Sequence, residues 1–333
     1  MKTAVARFIL CLSALVLALA GAEATVRLTH LAPDVGRIEL HTPYGDFVES
    51  DNPVLRYVPR AGTGDINAYG LRDRDRPIDK PKGTFRVAVI GDSIGFGFCS
   101  DSESLAIDAT FPRLLERSLE AARPRSAARV EVLNLCVSGY DTLQEVEFLR
   151  VKGLALSPDL VVVAYCLNDN QDASAELPRF AEPSPAARLG QGLYRTLFLG
   201  SHLFRVVALR VSGNGSRDRD GDSPGESGDR LHAGFRRLRA LADAHGFEVL
   251  VVVFPTIEDA RTYRHGPIHE QVRQAALAER FHHLDLWSAF LDASQGDLSR
   301  LQGRCSREHP DERGHAVAAR AIHQFVLANR LVP

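Results

Sequence analysis

The chain has 333 residues, 45% of them apolar and 25% charged, with a formal net charge of -2. That is the composition of a globular protein with room for one large or two ordinary domains and a sizeable core. The near balance of charge excludes the electrostatic footprint of a nucleic-acid binder, and no block of like charges offers a tail for a polyanion.

The N-terminus reads as an export signal over residues 1–22. Lys2 and Arg7 are its basic region, Phe8–Ala20 its apolar region, and Ala20-Gly21-Ala22 a small-residue cleavage site that leaves Glu23 as the mature start. The apolar run is shorter than the ~20 residues of a spanning helix. If it is retained, the segment serves as a membrane anchor, so the expected location is periplasmic or extracellular, free or anchored. Cys11 lies within this segment. Cys99, Cys136, Cys166 and Cys305 follow it, an even set in an exported chain, so two disulfides can form with the pairing open. Their spacing matches no zinc motif, and no metal or organic cofactor is implied.

Residues 23–84 show no periodicity and are rich in Pro, Gly and Asp, as in an irregular N-terminal arm. Within it, Arg72-Asp73-Arg74-Asp75-Arg76 alternates in sign and reads as a solvated surface. From residue 85 onward strands and helices alternate. Arg86–Ile90 is an apolar, β-branched strand that stops at Gly91-Asp92-Ser93. Thr110, Phe111 and Pro112 open a helix carrying Leu114, Leu115 and Leu119. Val130–Leu133 is a second strand, leading into Asn134–Gly139. Thr142 with Glu145 forms a capping box for a helix whose apolar face is Leu143, Val146 and Leu149. Leu160–Tyr165 is a third strand, apolar throughout, as expected for burial on both faces of a parallel sheet.

Residues 170–230 interrupt this alternation. Leu189–Val211 has helical apolar spacing and fits a helix packed on the sheet, a lid, or a helix lying on a membrane surface. Gly213–Gly228 is rich in Gly, Ser and Asp and is expected to be unstructured. The alternation resumes with a helix over Leu231–His245, a strand over Val249–Phe254, a helix over His269–Arg280 and a short strand over His283–Leu286. Glu308–Gly314 is predicted as a loop and Ala316–Ala328 as the last helix. The pattern predicts a mainly parallel sheet between two helical layers.

In such a sheet ligands bind at the C-terminal ends of the strands. Ser93, Gly139 and Asn168 all follow strand ends there. Acyl transfer needs a nucleophile, a base and donors aimed at the developing oxyanion. Ser93 offers a hydroxyl and its own N–H, Gly139 an unobstructed N–H, and Asn168 a side-chain amide. His309, fixed by Pro310 before the last helix, is the best placed base among the twelve histidines. Asp92 and Asp169 sit in turns and are expected to bond backbone. His282 and His283 flank a strand beside Asp285, and Trp287 is expected in the core or lining a pocket.

These residues resemble the four ordered blocks of the SGNH/GDSL hydrolases. Gly91-Asp92-Ser93, Asn134–Gly139, Asn168-Asp169 and His309-Pro310 with Gly314-His315 stand in that family's order. Ile66–Asp73 also resembles the lead-in segments of secreted members. The resemblance covers residues 85–333 apart from the insertion. It implies a three-layer α/β/α sandwich, a flavodoxin-like, mostly parallel five-stranded sheet. It further implies Ser93 as nucleophile, His309 as base, and Ser93, Gly139 and Asn168 as oxyanion donors. The chain departs from the family where a carboxylate is usual three residues before the histidine: Ser306 stands there. Ser306, Glu308, Asp297 and Asp311 are the groups available to orient His309, or a backbone carbonyl does so. Cys136 and Cys166 replace family glycines beside the expected oxyanion hole. With Cys99 and Cys305 near the first and last blocks, they suggest disulfides that staple this face.

The expected activity is therefore exported serine esterase, acting on O-acetyl or short acyl esters of small molecules or carbohydrates through an acyl-Ser93 intermediate. Two alternatives use the same residues differently. One is an O-acyltransferase of an envelope polysaccharide, distinguished by an acceptor-dependent product. The other is a non-catalytic binding module, which Ser306 favours and the joint presence of Ser93, Gly139, Asn168 and His309 disfavours.

Overall fold

The computed structural model describes residues 2–29, 31, 47–100, 103–123, 128–167, 197, 200–211, 224–258, 260–305 and 309–333. The chain divides into two compact units, Met1–Glu39 with Glu176–Gly221, and Leu40–Ala175 with Asp222–Pro333. The N-terminal arm from Leu40 onward therefore belongs to the same unit as the strand and helix alternation. The insertion groups largely with the N-terminus.

In the smaller unit α1 (Lys2–Leu28) runs without a break through the expected cleavage site. Its Leu10–Leu28 stretch is long and apolar enough to cross a membrane by length and composition. Leu10, Leu12, Val16, Leu17 and Leu19 are exposed. Glu23 accepts the N–H groups of His202 and Leu203 at 2.9 and 2.8 Å and the Ser201 hydroxyl at 2.8 Å. Its carboxylate thus caps the helix His202–Val211, where the helix dipole favours negative charge. Burial opposes its ionisation, but these bonds and Arg27 hold its pKa down at about 2. The rest of the expected 189–211 helix lies outside the described residues, apart from isolated positions before Ser201.

The larger unit opens with a short antiparallel ribbon, β1 (Phe47–Glu49) with β2 (Tyr57–Pro59). Then follow β3 (Thr84–Gly91), α2 (Ser93–Phe96), the small hairpin β4 (Phe98–Ser100) and β5 (Glu103–Ser104), α3 (Phe111–Ala122) and β6 (Arg129–Asn134). After these come α4 (Thr142–Phe148) and β7 (Leu160–Tyr165); α5 is the capped helix His202–Val211 of the smaller unit. The chain ends with α6 (Pro224–His245), β8 (Glu248–Val253), α7 (Gly266–Ala278), β9 (His282–Asp285), α8 (Trp287–Ala293) and α9 (Glu312–Ala328).

The main sheet has the order β6-β3-β7-β8-β9, and every neighbouring pair is parallel. The chain moves one way from β3 to β6 and the other way from β7 to β9. Right-handed crossovers then place α3 on one face and α4, α6 and α7 on the other. This is the flavodoxin-like strand order, with its topological switch point between β3 and β7. All of β7 is buried, as its unbroken apolar run requires. The interior also contains Arg86, fully buried on β3. Its guanidinium pairs with Glu131 on β6 at 2.8 Å and donates to the carbonyls of Pro77, Ile78 and Leu156, so no donor is stranded by its burial.

Several elements differ from the sequence reading. The charged run of the arm is a solvated surface only in part: Arg74 and Asp75 are exposed, but Arg72 and Asp73 are each 3% exposed. Arg72 donates to the carbonyls of Phe96 and Leu105, while Asp73 accepts from the Asn134 N–H and pairs with Arg76. The first cap of α4 is Asp141 rather than Thr142. Asp141 accepts from the Gln144 N–H at 3.0 Å and the Gln144 side chain accepts from the Asp141 N–H at 3.1 Å. That shift by one residue turns Glu145 inward. The last helix starts at Glu312, because Asp311 accepts the N–H groups of Arg313 and Gly314. The segment expected to be unstructured is helical from Pro224, where α6 begins.

Candidate active site

The site sits where β3 ends at the switch point. Asp92 is the N-cap of α2: one carboxylate oxygen accepts the Ile94 N–H at 3.1 Å. Ser93 is therefore the first helical residue, half-buried. Gly97 ends this single turn at φ 88°, a left-handed value that favours glycine. A side chain there would also strike Thr110 and Arg72. The loop preceding α9 brings His309 to Ser93, with Nε2 2.7 Å from the Ser93 hydroxyl oxygen. The two residues are 216 positions apart in sequence. The Phe98 ring packs on the imidazole with centroids 4.7 Å apart, and His309 is buried.

Gly139 is brought alongside by an extension of the parallel pairing beyond β6. The N–H groups of Leu135 and Val137 donate to the carbonyls of Val89 and Gly91. Gly139 then turns with φ 78°, again a conformation that suits glycine. Among the described residues the N–H groups of Ser93 and Gly139 have no recorded acceptor. Asn168, the third expected donor, lies outside the described residues, as do Asp169, Ser306 and Glu308. Asp297 and Asp311 do not serve as the acid for His309. Asp297 is bonded to Ser299, and Asp311 is committed to the start of α9 and to the Arg313 guanidinium.

The cysteines divide into a bonded pair and two thiols. Cys99 and Cys305 form a disulfide, which joins the strand after the Ser93 turn to the segment before His309. Cys136 and Cys166 are not cross-linked, contrary to a second disulfide. The Cys136 thiol approaches the Val89 carbonyl, and the Cys166 thiol donates to Asp92 at 2.8 Å. Cys166 thus helps fix the carboxylate that caps the nucleophile turn. The other Asp92 oxygen lies 3.1 Å from the Ser93 hydroxyl oxygen.

Behind this turn Glu145 is buried, and among the described residues its carboxyl oxygens have no hydrogen-bond partner. Burial, and then the nearby Asp92 and Asp141 carboxylates, push its pKa well above the ordinary value. His315, also fully buried, accepts the Phe111 N–H at its Nδ1 at 2.9 Å. Burial lowers its pKa to about 3. Its role is to cap α3 as a neutral imidazole, not to act as a second base.

The sequence reading missed the support supplied by the arm. Tyr57 donates its hydroxyl to the Ser138 carbonyl at 2.8 Å, next to Gly139, and Tyr140 donates back to the Tyr57 carbonyl. Arg72 holds the carbonyl that ends α2, and Asn134 donates to the Gly95 carbonyl at 2.9 Å. The signal was present in the segment Ile66–Asp73, whose arginine and aspartate are the residues that turn inward.

The model of the GDSL-like Lipase/Acylhydrolase family matches residues 89–317. No curated protein matches the chain. Among solved structures it is similar to LAE5, an alpha/beta hydrolase enzyme from the metagenome of Lake Arreo, Spain. The identity is 17% and the TM-score 0.48, over 75% of this chain and 96% of that one. It is also similar to Axe2, an acetylxylan esterase from Geobacillus stearothermophilus, with 18% identity and a TM-score of 0.46 over 73% of this chain and 94% of that one.

Proposed function

The chain belongs to the GDSL-like lipase/acylhydrolase family and is a hydrolase acting on esters, and from that premise we propose that it is an exported serine esterase for short acyl esters, O-acetyl groups on carbohydrate above all. The 2.7 Å contact between the Ser93 hydroxyl and His309 Nε2 carries the reading. Ser93 attacks the ester carbonyl while its proton passes to His309 Nε2. The negative oxygen of the tetrahedral intermediate accepts from the N–H groups of Ser93 and Gly139 and from the Asn168 amide. His309 then gives its proton to the leaving alcohol. Water, deprotonated by the same imidazole, cleaves the acyl-serine.

Export is supported by the basic and apolar N-terminus and by the Cys99–Cys305 disulfide, which suits an oxidising compartment. Whether α1 is removed or retained as an anchor is read directly by N-terminal sequencing of the secreted protein.

The test is turnover of p-nitrophenyl acetate by the wild type beside Ser93→Ala and His309→Ala. Each variant should lose roughly 10³-fold or more in kcat, because the two residues act as one unit. A wild type no faster than Ser93→Ala, on acetate and on longer esters, would overturn the assignment.

A further inference from the structure

A second cluster stands at the C-terminal edge of the same sheet, away from Ser93 and His309. Asp285 ends β9, and Tyr263 lies in the loop between β8 and α7. Asp285 Oδ2 is 2.8 Å from His269 Nδ1, and the Tyr263 hydroxyl oxygen is 2.5 Å from His269 Nε2. With the Nδ1 proton on the aspartate side, Nε2 accepts and Tyr263 donates. The Tyr263 hydroxyl also accepts the Thr256 N–H. Burial raises the Tyr263 pKa, so the phenol stays neutral. Asp285 Oδ1 accepts the Trp287 N–H at 2.8 Å. The Trp287 ring lies against Tyr263 with centroids 4.1 Å apart and planes tilted by 33°. His265 meets Tyr263 edge-on at 5.2 Å and approaches Glu258 at 3.2 Å, both about one third exposed.

The arrangement has the outline of a catalytic triad but not its chemistry. The tyrosine hydroxyl is engaged on both sides, the histidine on both nitrogens and the aspartate on both oxygens. What the cluster offers a ligand is ring surface, since Tyr263 and Trp287 are each half-buried. Rings locked in place lose little entropy on binding. Their electron-rich faces suit the weakly positive C–H face of a pyranose, and the His265–Glu258 rim can serve its hydroxyls. Counting three strand steps from β3 to β9, the cluster lies about 14 Å along the edge from the nucleophile turn. That span suits a sugar chain whose acylated unit reaches Ser93.

We propose that Tyr263 and Trp287 form a carbohydrate subsite for the glycan part of the ester, with His269 and Asp285 as positioning residues. The proposal rests on the carbohydrate-ester reading above.

Trp287 is the chain's single tryptophan, so intrinsic fluorescence reports from the site itself. The full chain carrying Ser93→Ala is titrated with cellohexaose, xylohexaose and chitohexaose. A saturable emission change with at least one hexaose is expected. In the same background Tyr263→Leu should weaken that binding about tenfold, and His269→Ala severalfold, with far-UV circular dichroism confirming the fold. No saturable change with any hexaose overturns the subsite, as does binding that Tyr263→Leu leaves in place. The esterase reading fails separately. If a hexaose binds with the expected shifts but wild type hydrolyses no acetylated form of it, that reading falls and the subsite stands. If acetylated hexaose is hydrolysed with a KM that Tyr263→Leu does not move, the reverse holds.

Discussion

The Cys99–Cys305 disulfide closes a loop of 206 residues and ties together the two segments that carry Ser93 and His309. Cys99 lies six positions after Ser93, and Cys305 four before His309. In the chain-entropy account, closing such a loop removes about 18 cal/mol/K from the unfolded state, or about 5 kcal/mol at 25 °C. Measured disulfides usually deliver about 2–4 kcal/mol, so that range is the expected cost of Cys99→Ala with Cys305→Ala. Two ion pairs, from Arg304 to Glu103 and to Glu312, cross the same junction, but exposed pairs contribute about 0–1 kcal/mol each and cannot substitute. The effect on catalysis is separate. A displacement of His309 by about 1 Å costs up to about 10²-fold in rate, so kcat should fall about tenfold or more, with KM less affected. Guanidinium unfolding of wild type and the double variant gives the first number, and p-nitrophenyl acetate kinetics well below the transition gives the second. A double variant within 0.5 kcal/mol of wild type, with an unchanged kcat, would refute the idea that this bond holds the base loop.

Two further outcomes follow from buried groups beside the site. Tyr57→Phe removes the hydroxyl that holds the Ser138 carbonyl. It should lower kcat about threefold to tenfold with little change in KM, as the Gly139 turn loosens, and a KM effect alone would count against this role. His315 has a folded pKa of about 3 against 6.5 when unfolded. The unfolded chain therefore binds the extra proton between these values, and stability is lost as the pH falls through that window. Between pH 7 and pH 4 this amounts to about 3 kcal/mol. Wild type should lose that much more than His315→Gln in paired denaturant titrations, and equal losses would show that His315 is not held neutral.

The parts of the fold that were legible from sequence are those where one local signal settles the outcome. The β-branched runs of β3 and β7 have no helical alternative, and the break at Gly91-Asp92-Ser93 marks a strand end wherever the chain goes next. Family order then linked Ser93 to His309 across 216 positions, which no local pattern could do. Where a pattern admitted two solutions, packing decided. Asp141 to Gln144 and Thr142 to Glu145 both fit a capping box. The first won, and the loser, Glu145, became a buried carboxyl behind the Ser93 turn. Alternating charge in Arg72–Arg76 looks the same in solvent or in an interior. Arg72 and Asp73 are buried here because the carbonyls of Phe96 and Leu105 and the N–H of Asn134 need partners that the sheet itself does not supply, while Arg74 and Asp75 stay exposed. Counting cysteines likewise gives the number of possible bonds but not their geometry. Cys166 ended against Asp92, where a thiol proton serves the N-cap of the nucleophile turn and a disulfide could not. The arm and the Cys166 thiol therefore belong to the support of the Ser93 turn. Each satisfies a polar group in or beside that turn, and such a group is identified by its distant partner rather than by its neighbours in sequence.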